Sequence, residues 1–182
     1  MKRAIITPSP LAPAALAELK QWLGISIAVD DVLLTALLRM ALETCEDFTG
    51  IMPLQAVCEE VLPITGDWQL LNTRPVQAIT QVDGLPAEGA RFALPVGSYQ
   101  IDLDADGQGR VRVTTPGAAG RITVRFAAGL APDWASLPEA LRHGVLRLAA
   151  HQHRQREGDG AGPLPPAAVA ALWRPWRRVR LA

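Results

Sequence analysis

Residues 30–50 read DDVLLTALLRMALETCEDFTG and residues 51–62 read IMPLQAVCEEVL; the period changes between them, and that change divides the chain. In the first stretch Leu34, Leu37, Leu38, Ala41, Cys45 and Phe48 follow the i, i+3, i+4, i+7 spacing of one helix face. Asp30 or Asp31 can cap the start, and Gly50 supplies a left-handed stop. From about Gln55 the runs become short and β-rich, at Ala56–Leu62, Gln69–Leu71, Val76–Val82, Ser98–Leu103, Arg110–Thr114 and Ile122–Phe126. Turn formers separate them: Thr65-Gly66-Asp67, Asp83-Gly84, Asp106-Gly107 and Pro116-Gly117. Alternation in Tyr99-Gln100-Ile101-Asp102-Leu103 and Val111-Arg112-Val113 reads as a hairpin with one wet face.

Helical spacing lies on both sides of this block. Pro13 to Leu23 carries Leu16, Leu19 and Leu23 on one face, with Gly24 to end it. Ser136-Leu137-Pro138-Glu139 fits a capping box, and Leu141, Val145, Leu148 and Ala149 supply the buried stripe of a helix running to about Glu157. Gly158 to Pro166 is a Gly/Pro-rich link, and a short helix from Pro166 to Trp173 is stopped by Pro175. The expected fold is α+β: a helical core of two N-terminal helices and a long C-terminal helix, an inserted small antiparallel β-sheet region, and an extended C-terminal tail. The corresponding parts are a helical start (1–54), an inserted β-rich part (55–132), a long helix completing the helical core (133–160), and a short helix with the tail (161–182).

Composition narrows the function. Of 182 residues 49% are apolar, enough to bury a sizeable core, so whole-chain disorder is excluded. Eighteen basic and eighteen acidic residues cancel, which removes a global attraction to nucleic acid or membrane. The charges are segregated, however. Seven acids and one Arg lie between Asp30 and Glu60, whereas four Arg and no acid lie between Gly160 and Ala182. Such a layout suits contact with complementary surfaces, including neighbouring copies of the chain. Cys45 and Cys58 are too few for a disulfide framework and read as reduced core residues. The opening MKRAIITPSP has only three apolar residues before Pro8, too few for a signal peptide, and no run approaches the length of a membrane span.

No catalytic constellation stands out. Asp102-Leu103-Asp104-Ala105-Asp106-Gly107 copies the first half of a calcium loop, but Val113 holds the twelfth position, where a bidentate Glu is required. A polar hairpin turn explains the same residues. His143, His151 and His153 share a helix, yet residues two apart point to different faces, so His151 and His153 cannot jointly hold a metal. Nucleophile elbow, Walker loop and dinucleotide fingerprint are all missing, and Glu59-Glu60 reads as edge solubility on a strand. The expectation is a protein without catalytic residues, metal or cofactor.

The most informative stretch is Leu172-Trp173-Arg174-Pro175-Trp176-Arg177-Arg178-Val179-Arg180-Leu181. Trp and Arg dominate interface hot spots because they bury area while keeping directional hydrogen bonds. Docking of this stretch into another chain is the preferred reading. The competing ones are that Trp173 and Trp176 fold back on the core, and that the arginines grip nucleic acid independently of sequence while Trp stacks on bases.

The order of these features resembles the head–tail connector (adaptor) proteins of long-tailed phages and gene-transfer-agent particles. The residues that carry the resemblance are Leu19-Lys20, Leu23, Asp30-Asp31 and Leu34, then the helix ending Phe48-Thr49-Gly50. Val124-Arg125-Phe126-Ala127-Ala128-Gly129, Leu137-Pro138-Glu139-Ala140-Leu141 and the segment from His151 to Glu157 follow, before the Trp/Arg ending. The family often has a longer aromatic run where this chain has His151-Gln152-His153. The resemblance implies a ring of copies beneath the twelve-fold portal, part of the particle neck; synthesis in the cytoplasm is the expectation from the missing signal peptide and membrane span. The resemblance further implies a stopper or tail component on the other side and DNA passing through the lumen, with no membrane contact. The portal-docking residues it implies are Leu172, Trp173, Arg174, Trp176, Arg177, Arg178, Val179, Arg180 and Leu181.

Overall fold

A computed structural model describes residues 3–155 and 165–177. The chain forms two compact units, residues 1–9 with 55–130, and residues 10–54 with 131–182.

The first unit is built on β8 (Ala119–Ala128), which pairs antiparallel with β2 (Ala56–Pro63) on one side and β4 (Val76–Pro86) on the other. The outer strands are β1 (Ala4–Thr7), beside β2, and β5 (Phe92–Ala93), beside β4. A second antiparallel sheet has the order β3 (Gln69–Leu70), β7 (Gly109–Val113), β6 (Tyr99–Leu103). Burial along β2 alternates strictly, with Ala56, Cys58, Glu60 and Leu62 inside. Their register partners on β8 are Ala128, Phe126, Val124 and Ile122, all buried, so two strands contribute one continuous apolar face.

Two expectations are corrected here. The chain opens on a strand, not on two helices, and the β part is eight strands in two antiparallel sheets among the described residues, not a small insertion. Ala4-Ile5-Ile6-Thr7 is too short to show a period, and its partner Val57–Glu59 lies some fifty residues away, so only the pairing reveals it. Asp83-Gly84 also lies inside β4 rather than at a turn. A Cβ at Gly84 would stand 2.7 Å from Phe92 Cζ and 2.9 Å from the Ala119 Cβ, so the glycine serves close approach within the sheet.

The second unit is helical. α1 (Pro13–Leu23) and α2 (Asp31–Thr49) each end at a glycine in the left-handed region, Gly24 at φ 72° and Gly50 at φ 71°. Leu34, Leu37, Leu38, Ala41 and Cys45 of α2 are buried, as their spacing requires, while Phe48 is half-buried. Neither Asp30 nor Asp31 caps α2 through its side chain; Asp31 instead accepts a 2.6 Å hydrogen bond from Lys20 of α1. Before α3 (Glu139–Gln155) it is Asp133 that accepts from the Ser136 amide at 2.8 Å. Hydrogen bonds from the Ser136 amide and hydroxyl hold the Asp133 carboxyl below the usual carboxylate range. Burial, with the Glu46 charge adding to it, pushes the Cys45 thiol up to about 12, so it stays protonated in the core. Among the described residues no helix is long and apolar enough to cross a membrane.

Glu60 corrects a further expectation. It does not decorate an edge, because β1 is the edge strand and β2 lies inside it. Its carboxylate, in a residue only 3% exposed, accepts from the Asn72 and Thr73 amides at 2.9 and 3.0 Å and from the Thr73 hydroxyl at 2.7 Å. A charge on the buried face is thereby satisfied, and the β3–β4 connection is pinned to β2. Neighbouring Glu59 meets Arg91 and Arg125 at 3.1 and 3.4 Å. Removing the carboxylate leaves two main-chain amides without an acceptor, at about 1–3 kcal/mol each when buried. We therefore expect Glu60→Ala to cost about 2–4 kcal/mol in urea denaturation and Glu60→Gln, which keeps one oxygen, clearly less. Equal losses for the two variants would refute this role.

Candidate partner-binding site

The C-terminal stretch begins on α4 (Ala167–Trp173), entered through Pro166 in an extended conformation that suits a helix start. Val169 and Trp173 are the buried residues of α4, and Trp173 is fully enclosed. Its indole lies against α3 at Gly144, where a Cβ would fall only 2.1 Å from the indole nitrogen. That nitrogen donates a long, 3.4 Å hydrogen bond to the Leu141 carbonyl. The Phe48 ring stands 6.1 Å from the same indole, tilted by 48°. Gly144 is the residue that sequence reasoning missed. A glycine inside a helix costs about 1 kcal/mol relative to alanine, and such a residue signals close packing.

After Trp173 the chain takes one short 3-10 turn over Arg174–Trp176, closed by the Arg177 amide on the Arg174 carbonyl at 3.1 Å. Leu172 and Trp176 are half-buried, while Arg174 and Arg177 are exposed. The Arg177 guanidinium sits 5.4 Å from the Phe48 ring centroid, a cation–π distance. The fold-back reading thus applies to Trp173, which is spent on this chain's own core. Arg178, Val179, Arg180 and Leu181 lie outside the described residues.

The remaining candidates are not brought together. Asp104 accepts from the Asp106 and Gln108 amides at 2.9 and 2.8 Å, an Asx turn, and Asp102 pairs with Arg110 across the hairpin. His143 is exposed and edge-on to Trp22, with ring centroids 5.2 Å apart, while His151 and His153 are half-buried. Among the described residues no three His, Cys, Asp or Glu side chains gather in a metal-binding group.

No described protein family and no curated protein matches the chain by sequence. Solved structures do match over its whole length. One is a chain of the neck of an empty GTA particle computed with C6 symmetry, 26% identical, with 100% of this chain and 98% of that one covered and a TM-score of 0.80. Another is a chain of the neck of a native GTA particle computed with C12 symmetry, 27% identical at the same coverage, with a TM-score of 0.78. A third comes from the virion of a native gene transfer agent particle, 28% identical, with a TM-score of 0.75. These neck chains are consistent with the resemblance to head–tail connector (adaptor) proteins seen in the sequence. The likeness to chains of particle necks supports a structural, non-enzymatic role.

The notch in α3 has a measurable consequence for the stability of the helical unit. Trp173→Ala is expected to cost about 3–5 kcal/mol, the usual loss for a buried aromatic. Gly144→Val overpacks the same contact, at about 1–3 kcal/mol. Because both changes break one contact, the double variant should lose less than the sum, a coupling that a double-mutant cycle reads directly. Additive losses would mean that the two residues act separately.

Proposed function

We propose that the chain is a structural head–tail connector in the neck of a phage-like particle, where copies form a ring beneath the portal and join the DNA-filled head to the tail. The observation that carries this reading is the full-length match, at 26–28% identity, to chains of gene-transfer-agent necks. DNA passes through the ring's lumen without sequence-specific contact, in keeping with a net charge of zero. The chain is made in the cytoplasm and functions in the particle. Its partners are the portal protein, neighbouring copies of itself and a stopper or tail component.

Portal docking is assigned to the C-terminal segment. Trp173 anchors the segment to the helical unit, and Leu172, Arg174, Trp176 and Arg177 follow or flank that anchor with exposed or half-buried side chains. Arg178, Val179, Arg180 and Leu181 extend the same alternation of basic and apolar residues in sequence. Arginine and tryptophan at the end of an anchored segment suit a protein partner, because they combine buried area with directional donors.

Deleting residues 174–182 leaves the Trp173 anchor in place. The truncated chain should stay folded, with an unchanged circular-dichroism melt, yet fail to join heads to tails in a complementation assay. An unfolded product would instead make the segment part of the core. If the intact chain bound DNA with an affinity falling steeply with salt, a sequence-independent DNA-binding role would replace the connector reading.

A further inference from the structure

α2 carries a second face that its own unit leaves uncovered. Val32, Ala36 and Met40 follow one another at four-residue spacing, and Val32 and Met40 are 86% and 43% exposed. An open groove of about 590 Å³ runs along this face from Asp31 to Glu43, past Arg39. At its end Glu43, and beyond it Asp47, both exposed, sit four residues apart with like charge. No basic residue lies in the last turn of α2, where the carbonyl end of the helix already disfavours carboxylates. This arrangement works against the isolated helix; Arg39, one turn before Glu43, forms no ion pair with it among the described residues, so the acidic end is open to a cation brought from outside.

The same unit offers such a cation on a different face. Trp22 of α1, 42% exposed, packs edge-on to His143 of α3, and the Arg147 guanidinium lies 6.0 Å from the same ring centroid. Among the described residues Arg147 has no carboxylate within ion-pair reach, and it is exposed. One face is therefore apolar with an acidic end, and the other is aromatic with a basic end. A ring of more than two copies closes through head-to-tail contacts, which require two different and complementary patches on each chain.

We propose that the ring contact is made by the helical units, the Val32–Met40 face of α2 in one copy seating against the Trp22–His143–Arg147 face of the next, with Glu43 and Asp47 meeting Arg147. This rests on the connector reading. The apolar stripe covers the indole, and the charges set direction, so the contact repeats in one sense around the ring. Cys45 and Cys58 are fully buried, so thiol reagents report only introduced cysteines.

The test uses assembled particles. In a Met40→Cys/His143→Cys chain a short bis-maleimide should give a ladder of connector multimers, and neither single variant should. Glu43→Arg should lower the yield of joined particles at least tenfold, and adding Arg147→Glu should restore it to within about threefold. Both changes are at exposed positions and should leave the melting curve unmoved. The absence of a ladder together with a failed rescue, in particles that still join, would overturn this contact while leaving the connector reading intact. Crosslinking of Met40→Cys to a different particle protein would assign the α2 face to the portal or tail component instead. Absence of the wild-type chain from the neck would remove both proposals.

Discussion

The helical unit depends on the insertion of one indole into one notch. Trp173 is enclosed because α3 has no side chain at Gly144, and the approach of the ring to the α3 backbone leaves no space for even a methyl group. The helix accepts an entropic penalty of about 1 kcal/mol at that glycine and gains a buried aromatic contact worth several times as much. Phe48 at the end of α2 completes the contact, so the ends of two helices and the middle of a third are tied at one point. The segment that follows therefore starts from a fixed origin, with Arg174 and Arg177 exposed.

In the other unit a comparable constraint is electrostatic. Glu60 occupies a position that the alternation of β2 turns inward, opposite Val124 of β8. A carboxylate there is tolerated only because main-chain donors of the Asn72–Thr73 connection surround it. The same inward-facing column, with Cys58 against Phe126 and Leu62 against Ile122, supplies the apolar part of the face. Apolar and charged residues thus act in one register, and a slip of a single residue would turn both sets outward.

The two units divide the demands made on an assembly component. Internal contacts consume Trp173 and Glu60, the two side chains that a sequence reading would have assigned to the surface. Outward on the helical unit, carboxylates (Glu43, Asp47) gather at the end of α2 and arginines (Arg147, Arg154, Arg174, Arg177) on α3 and after α4. This distribution leaves the net charge at zero, so it creates no long-range repulsion between copies.

Local information determined a good deal by itself. The apolar spacing of α2, the glycine stops at Gly24 and Gly50, and the alternation of β6 and β7 are all short-range patterns, and each forms where the pattern stands. The order of features was also enough to reveal the connector resemblance. Tertiary structure decided the rest, because the deciding partners are distant in sequence. Ile5 and Ile6 become an edge strand only beside Val57–Glu59, and Gly84 continues a strand because it pairs with Phe92 and Ile122, where Phe92 and Ala119 leave no room for a Cβ. Trp173 is core and Arg174 surface, although both belong to one Trp/Arg motif, since only one of them meets Gly144. Periodicity records which side of an element is apolar, whereas long-range pairing decides what that side meets.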